Sequence, residues 1–444
     1  MTRPTSKLTW ILAPLLVFAG LLAVMAIDGS TREPLQVEPS AAAAPPASGD
    51  TAALIASLRQ AVREEPGDAA ALTALGDSYY QRLRETGDGS LADRAERAYR
   101  MALAADPGYV AALSGRATIA LNDHRFADGL ALARRAHRAG PQLVAPYAAL
   151  VDGLIETGRY GEAAQTLQRM VALKPTQAAY LRVSYFRELH GDLGGAAGAL
   201  QLAISAGAGT AEGSAYVHTI VGDLEAARGR YAGATRSYRQ ALAISPGFGA
   251  ARAGLALLRA GSERPGDLTA AIRTLRGQVG DPPSPDALMT LGEVEQAAGR
   301  LAAARRHYSQ ASEIEARLLA AGGGYDAGVT LNEAEHGDSA QAVAYGRRAW
   351  RTAPSVSSAD AYSWALYRDG RIAAAARLSE EAMRLGSRSP EFLYHAGMIA
   401  RAHGDDARAA RLLATLLEQA PRFSPLYAPR ARQALRGLRG SLIG

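Results

Sequence analysis

Cysteine is absent from the 444 residues of the chain. The protein therefore has no disulfides, no thiolate metal ligands and no cysteine nucleophile. Lysine is almost absent as well, since only Lys7 and Lys174 occur among 49 basic residues. Neither lysine follows a glycine, so the glycine-rich loop and lysine that hold the phosphates in many nucleotide-binding proteins cannot form.

Several sequence motifs of catalytic sites are also absent or occur where the neighbouring sequence does not support them. The sequence contains no Gly-x-Ser-x-Gly and no His-Glu-x-x-His, the patterns of serine hydrolases and of one class of zinc enzymes. The glycine-rich stretch 207–213 follows a helical pattern instead of a strand, so it does not indicate a dinucleotide site. We therefore expect no enzyme activity, no metal and no cofactor.

Basic charge is concentrated at the two ends of the chain. The net charge is +6, yet residues 421–444 hold five arginines and no acid, and Arg3 and Lys7 lie at the other end. The remainder is nearly neutral. Because a phosphate backbone needs a continuous basic face, the sequence disfavours nucleic acid as a partner.

Residues 8–27 form an uncharged run of bilayer length, preceded by basic residues. We expect a cytoplasmic N-terminus (1–7) and a transmembrane signal-anchor helix that contacts the lipid bilayer (8–27). The rest of this single-pass protein of the cell membrane would then lie on the extracytoplasmic side. The alternative is a cleaved signal peptide and a secreted protein. Residues 28–50, rich in proline and alanine, are predicted to be a disordered linker.

An internal repeat begins after residue 50. Residues 158–175 and 229–246 share a phrase that starts with Gly-Arg-Tyr, has alanine five positions after the glycine and ends in proline. The same register recurs every 33 to 38 residues. Its anchor positions are Ser90, His124, Gly158, Gly191, Gly229, Gly266, Gly299, Gly337, Gly370 and Gly404. Alanine or glycine stands five positions after every anchor, which favours ten similar units.

Each unit has the apolar spacing of two amphipathic helices. The anchor glycine suits a left-handed cap that ends the first helix. The aspartate in each His-Gly-Asp sequence, at 190–192, 336–338 and 403–405, suits the N-cap of the second helix, so we interpret these sequences as turns and not as metal sites. The prediction is an all-α chain with about ten repeats over 51–425 and a basic capping helix and tail over 426–444.

The first full unit resembles the tetratricopeptide repeat. The residues that carry the resemblance are Leu75, Gly76, Tyr79, Ala95, Tyr99, Ala102 and Pro107. The resemblance implies a right-handed superhelical solenoid of helix-turn-helix repeats. It also implies a concave groove, lined by the first helices, that holds an extended peptide or a partner helix.

By position in the resembled repeat, fifteen residues are expected to line this groove. They are Asp77, Tyr80, Asn122, Asp152, Glu156, Tyr185, Tyr216, Asp223, Glu293, Gln296, Trp364, Tyr367, Arg368, Tyr394 and Arg401. The five from Trp364 onward are of types that often dominate interfaces, so we expect the stronger binding surface near the C-terminus. The predicted function is a membrane-anchored scaffold that binds protein or peptide partners outside the cytoplasm. The alternatives are a secreted binding protein and an enzyme on a helical-repeat scaffold.

Overall fold

The computed structural model describes residues 51–86, 88–207, 209–280 and 283–441. Within these ranges all regular elements are α-helices, which confirms the predicted all-α class. The helices are α1 (Thr51–Glu64), α2 (Ala69–Thr86), α3 (Ser90–Ala105), α4 (Val110–Asn122), α5 (Phe126–Ala139), α6 (Ala145–Glu156), α7 (Tyr160–Leu173), α8 (Gln177–Leu189), α9 (Leu193–Ala206), α10 (Ala211–Ala227), α11 (Tyr231–Ile244), α12 (Gly249–Ala260), α13 (Asp267–Arg276), α14 (Pro285–Ala297), α15 (Leu301–Ala320), α16 (Ala327–His336), α17 (Ser339–Thr352), α18 (Val356–Arg368), α19 (Ile372–Ala382), α20 (Pro390–His403), α21 (Asp406–Gln419) and α22 (Tyr427–Ser441).

Helices α2 to α21 form ten consecutive antiparallel pairs, here called units 1 to 10. The even-numbered helix is the first of each unit and the odd-numbered helix is the second. Consecutive helices pack on each other along the whole described chain, as in a solenoid. Helix α1 packs on α2 ahead of the array, and α22 packs on α21 at its end.

The anchor glycines end the first helices in the predicted way. Seven of them have positive φ angles, from 71° to 86°, which only glycine adopts without strain: Gly158, Gly191, Gly229, Gly266, Gly299, Gly370 and Gly404. Six of these stand within two residues of the end of a first helix, whereas Gly266 is the N-cap of α13, six residues beyond the end of α12. Gly337 differs, with φ −112°. There the amide of Asp338 donates to the carboxylate of Glu333 over 2.9 Å, so a side chain takes part in closing the helix.

The aspartates of the three His-Gly-Asp sequences cap the second helices. Each carboxylate accepts a backbone amide three residues ahead: Asp192 from Gly195, Asp338 from Gln341, and Asp405 from Arg408. This confirms their interpretation as turns. Within the described ranges, no group of three or more potential ligands is placed to hold a metal ion.

The small residue five positions after each anchor is buried in all ten units. Ala234, for example, has 0% exposure. Four positions later, Tyr238 inserts its ring between Gly222 and Gly254 of two successive first helices, where a Cβ on either glycine would overlap the ring. The repeat register therefore follows from close helix approach at small residues, with larger side chains of the second helix filling the space beyond them.

The second half of the solenoid lies against the first half along a line of loops that we call the seam. The loop inside a unit meets the loop that follows the unit five places later. This offset holds for units 2, 3, 4 and 5, which meet the loops after units 7, 8, 9 and 10. The contacts join His124 to Asp326, Tyr160 to Val356, Gly191 to Gly386, and Tyr231 to Arg422.

Hydrogen bonds and glycines allow the paired loops of the seam to approach each other closely. The backbone amide of Val356 donates to the hydroxyl of Tyr160 over 2.8 Å, and the amide of Arg422 donates to Tyr231 over 2.8 Å. Carbonyl oxygens of the later loops press against three anchor glycines, where a Cβ would overlap them: Pro354 against Gly158, Gly386 against Gly191, and Gln419 against Gly229. The glycines are therefore needed for the approach as well as for their φ angles.

The expected localisation as a single-pass protein of the cell membrane is corrected. Among residues 51–441, where the structure describes them, no helix is both long and apolar enough to cross a membrane. The run 8–27, to which the span and the bilayer contact were assigned, lies outside the described residues, as do the predicted N-terminus 1–7 and linker 28–50.

Candidate binding chamber

A chamber of about 840 Å³ lies inside the superhelix, between units 5 to 7 and the units that follow them. Helices α10, α12 and α14 of units 5 to 7 form one wall. Helices α16 and α20 and the segment 422–427, which leads into α22, form the other. All five of these helices are first helices, so the structure puts first-helix side chains on the inner surface, as the resemblance implies.

Five carboxylates line the chamber: Asp223, Asp286, Glu293, Glu335 and Glu391. Asp223 accepts a hydrogen bond from the hydroxyl of Tyr238 over 2.6 Å. Glu293 accepts one from the hydroxyl of Ser424 over 2.6 Å, which links the two walls. Glu391 makes no hydrogen bond and no salt bridge with any residue that the structure describes.

The fourth carboxylate, Glu335, is the most strongly held. Its oxygens accept the indole N–H of Trp364 over 2.6 Å and the guanidinium of Arg368 over 2.7 Å. Arg422 also lines the chamber, with its guanidinium 5.4 Å from the ring centre of Tyr231. The charged groups of the lining are therefore mainly acidic.

The environment of two of these acids opposes their negative charge. Burial raises the pKa of Glu293, and the charges of Glu391 and Glu335 raise it further. Burial also raises the pKa of Glu391, an effect that the neighbouring His395 opposes and that the charges of Asp360 and Glu335 reinforce. The acidic groups thus repel one another across a space from which water is partly removed.

A second cavity, of about 430 Å³, lies at the seam beside units 2 to 4. Four of the predicted groove residues meet there: Asn122, Asp152, Glu156 and Tyr185. Its opposite wall is formed by the loops after units 7 and 8. The predicted residues of this group therefore face the chain's own later units across the cavity, with Asn122 and Tyr185 still exposed.

The side chains around this second cavity have partners. The guanidinium of Arg182 donates two hydrogen bonds to the carboxylate of Asp152, of 2.8 and 2.6 Å. Burial raises the pKa of Glu156 to about 7, although the hydroxyl of Tyr185 donates to it. These contacts account for the polar groups without a ligand.

Asp77, Tyr80 and Gln296 are engaged in contacts within the chain. Asp77 accepts a hydrogen bond from Tyr99, and Gln296 accepts one from Tyr308. Tyr80 accepts one from the side chain of Asn122. Two further predicted residues are exposed, namely Tyr216 and Arg401.

The expectation that the aromatic residues near the C-terminus present their side chains to a partner needs correction. Trp364 is 2% exposed and Tyr394 is 3% exposed. The indole of Trp364 stacks on the rings of His395, at 4.2 Å between centroids, and Tyr367, at 4.7 Å. Arg368 remains exposed but is tied to Glu335. The aromatic rings of this group therefore serve the core of units 9 and 10.

The comparisons with known proteins agree with the repeat register in this part of the chain. Residues 363–424 match the tetratricopeptide repeat. The match covers most of units 9 and 10, and the eight units before them share the same anchor spacing and helix pairing. No curated protein matches the chain.

Solved structures give weaker likenesses. Human IFIT1, solved as a dimer with m7Gppp-AAAA, is 16% identical over 76% of this chain and 77% of that chain, with a TM-score of 0.48. YrrB, described as a tetratricopeptide repeat protein with an unusual peptide-binding site, is 19% identical over 44% of this chain and 95% of that chain, with a TM-score of 0.27. These values are too low to carry a ligand over to this chain.

Sequence reasoning missed Glu335, Glu391 and Ser424, which all line the chamber. Glu335 and Glu391 lie on α16 and α20, which are first helices, so the repeat register could have assigned both to the groove. Ser424 lies in a loop, and nothing in the repeat pattern indicates that this loop reaches Glu293, 131 positions earlier.

Proposed function

We propose that this chain is a protein-interaction scaffold that holds a peptide segment of a partner protein in the 840 Å³ chamber. One observation carries the proposal: the first helices of five different units converge on a single concave space. Its volume falls within the range of pockets that bind small molecules. The repeats provide the wall, and the chamber provides the surface on which a ligand would be buried.

The tetratricopeptide match at 363–424 supports binding as the role of the chain, because the resembled repeat is expected to bind peptides along its first helices. The proposal assigns no catalysis. It also assigns no nucleic acid, since the chamber lined by Asp223, Glu293, Glu335 and Glu391 would repel phosphate groups.

A site-specific photo-crosslinker placed in the full chain at Thr290 tests the proposal. Thr290 lies on α14 and faces the chamber. The matched control is Leu301, which is 54% exposed on the second helix of the same unit. We expect one partner protein to be linked through Thr290 and not through Leu301 when native cells are irradiated.

In a second experiment, a tryptophan substitution narrows the chamber. Ala253 lines it, whereas Ala302 is exposed on α15 outside it. We expect Ala253→Trp to abolish binding of the purified partner and Ala302→Trp to leave binding unchanged, with both variants melting near the parent temperature. Equal crosslinking from Thr290 and Leu301, or equal binding by the two variants, would overturn the proposal.

A further inference from the structure

Most of the charged side chains that line the chamber are negative. Asp223, Glu293, Glu335 and Glu391 all face it, and Asp286 lies on the same wall. Arg422 is the one arginine that lines it within the described residues, and no lysine does. A guest would therefore meet negative charge from both walls of the chamber.

These charges are only partly compensated within the described chain. Glu391 has no hydrogen-bond or salt-bridge partner there, although the nearby His395 lowers its pKa, and the donor to Glu293 is the uncharged hydroxyl of Ser424. Only Glu335 is paired with an arginine, Arg368. Carboxylates that repel one another around a partly open chamber raise the free energy of the empty chamber, and a cation placed among them would lower it.

Aromatic side chains lie at the same place. Tyr394 contacts Phe423, with 5.9 Å between ring centroids, and Tyr427, with 5.2 Å. All three line the chamber, but Tyr394 is 3% exposed, so the half-buried rings of Phe423 and Tyr427 are the ones that offer a surface to a guest. The guanidinium group of arginine packs on aromatic faces and forms paired hydrogen bonds with carboxylates, so this combination suits arginine better than an isolated metal ion.

We propose that the chamber binds a peptide segment carrying arginine or lysine, whose cationic side chains lie among Glu293, Glu335 and Glu391. This inference rests on the function proposed above and specifies its ligand class. Charge complementarity selects the occupant, and the aromatic rings beside the carboxylates provide apolar surface for the stem of an arginine side chain. An acidic or phosphorylated segment would be repelled.

Three fluorescent peptides of equal length test the ligand class by anisotropy with the full chain. They alternate alanine with arginine, with glutamine or with glutamate. We expect the arginine peptide to bind most tightly, with an affinity that falls as salt is added. Equal or tighter binding of the glutamine or glutamate peptide would overturn the inference.

Paired substitutions locate the binding. Glu293→Gln with Glu391→Gln removes two chamber charges, and Glu64→Gln with Glu65→Gln removes two exposed charges at the end of α1 and just beyond it. We expect the chamber pair to weaken binding of the arginine peptide on the order of tenfold or more, as for other interfacial charge pairs, and the control pair to leave it unchanged. Equal affinities of the two pairs would show that the peptide binds elsewhere.

The melting temperature of the ligand-free chamber pair shows whether these carboxylates serve ligand binding or the fold. Because the chamber pair removes repulsion, we expect its ligand-free melting temperature to equal or exceed that of the parent. A lower value would mean that these carboxylates serve the fold, which contradicts the inference. If the glutamine or glutamate peptide binds and Ala253→Trp abolishes that binding, the scaffold function stands and the cationic ligand class fails. If no peptide binds and Thr290 links no partner, both fail.

Discussion

The hydroxyl oxygen of Tyr160 accepts a hydrogen bond of 2.8 Å from the backbone amide of Val356, 196 positions further along the chain. Val356 is 1% exposed, so its amide has no access to water if the hydroxyl is removed. We expect Tyr160→Phe to lower the free energy of unfolding by about 1–3 kcal/mol, the usual cost of an unpaired buried donor. Urea unfolding of the full chain measures it.

Tyr345→Phe is the control for this change, since the hydroxyl of Tyr345 makes no hydrogen bond among the described residues and the residue is only partly buried. If Tyr160→Phe and Tyr345→Phe unfold at the same urea concentration, the seam bond does not contribute to stability.

Two anchor glycines allow the cost of a positive φ angle to be measured separately from the cost of a steric overlap between loops. Gly191 and Gly299 have nearly equal φ angles, 72° and 75°. A Cβ on Gly191 would overlap the carbonyl oxygen of Gly386, whereas a Cβ on Gly299 would meet nothing within 4 Å. We expect Gly299→Ala to cost roughly 1 kcal/mol for its φ angle alone. Gly191→Ala should cost about 1–3 kcal/mol more, because the seam must separate to admit the methyl group.

Thermal unfolding of the two glycine variants gives the difference directly. Equal melting temperatures for Gly191→Ala and Gly299→Ala would show that the two loops do not meet in solution.

The packing alanines give a third test. Ala234 has 0% exposure on α11, while Ala232 on the same helix is exposed. We expect Ala234→Leu to destabilise the fold by about 1–3 kcal/mol through overpacking. Ala232→Leu should change stability by less than about 0.5 kcal/mol. Urea midpoints measure both, and an unchanged midpoint for Ala234→Leu would contradict the repeat register.

Glu188 makes stability depend on pH. Burial raises its pKa from 4.5 to about 7. Between these values the folded chain binds a proton that the unfolded chain has released, so its free energy of unfolding falls as pH rises from about 4.5 to about 7, by at most about 1.4 kcal/mol per pH unit. We expect Glu188→Gln, which keeps an acceptor for Ser184, to flatten this dependence.

Urea midpoints at pH 5, 6, 7 and 8 measure the effect of Glu188→Gln, with the exposed substitution Glu64→Gln as control. A parent chain whose stability rises over this range, or a Glu188→Gln variant with the parent slope, would contradict the assignment.

Trp364 and Arg368 are expected to act differently, although both were predicted to line the groove. Trp364→Ala removes a buried ring and should cost about 3–5 kcal/mol. Arg368→Ala removes an exposed partner of Glu335 and should cost no more than about 1 kcal/mol. Melting curves of the two single variants measure this, and a Trp364→Ala variant as stable as the parent would show that the indole is not part of the core.

Local features of the fold could be predicted because they depend on neighbours in sequence. The anchor glycines, the aspartate caps and the buried alanine at Ala234 each follow from helix geometry within one unit. The position of first helices on the inner surface also follows, since it repeats from unit to unit.

The site could be predicted only in part, because it depends on the pitch of the whole superhelix. Asp223, Glu293 and Tyr394 were identified by register and do line the chamber. The burial of Tyr394 arises from its packing against Trp364, Phe423 and Tyr427 of adjacent units and of the closing segment. The closing of the second cavity over Glu156 arises from seam contacts nearly 200 positions apart, which no local period encodes. The tyrosines of Gly-Arg-Tyr, at 160 and 231, were the available signal, since each starts a second helix with a hydroxyl that has no role inside its own unit.

The constant offset of five units along the seam has a consequence for how this array can change in length. In most repeat proteins a unit touches only its neighbours, so copies can be duplicated or lost one at a time. Here the loss of unit 6 or unit 7, the two units that lie inside all four pairings, would shift every later loop by one place and mismatch all four seam contacts together. The seam therefore constrains the number of units between paired loops, a constraint that contacts between neighbouring units alone do not impose.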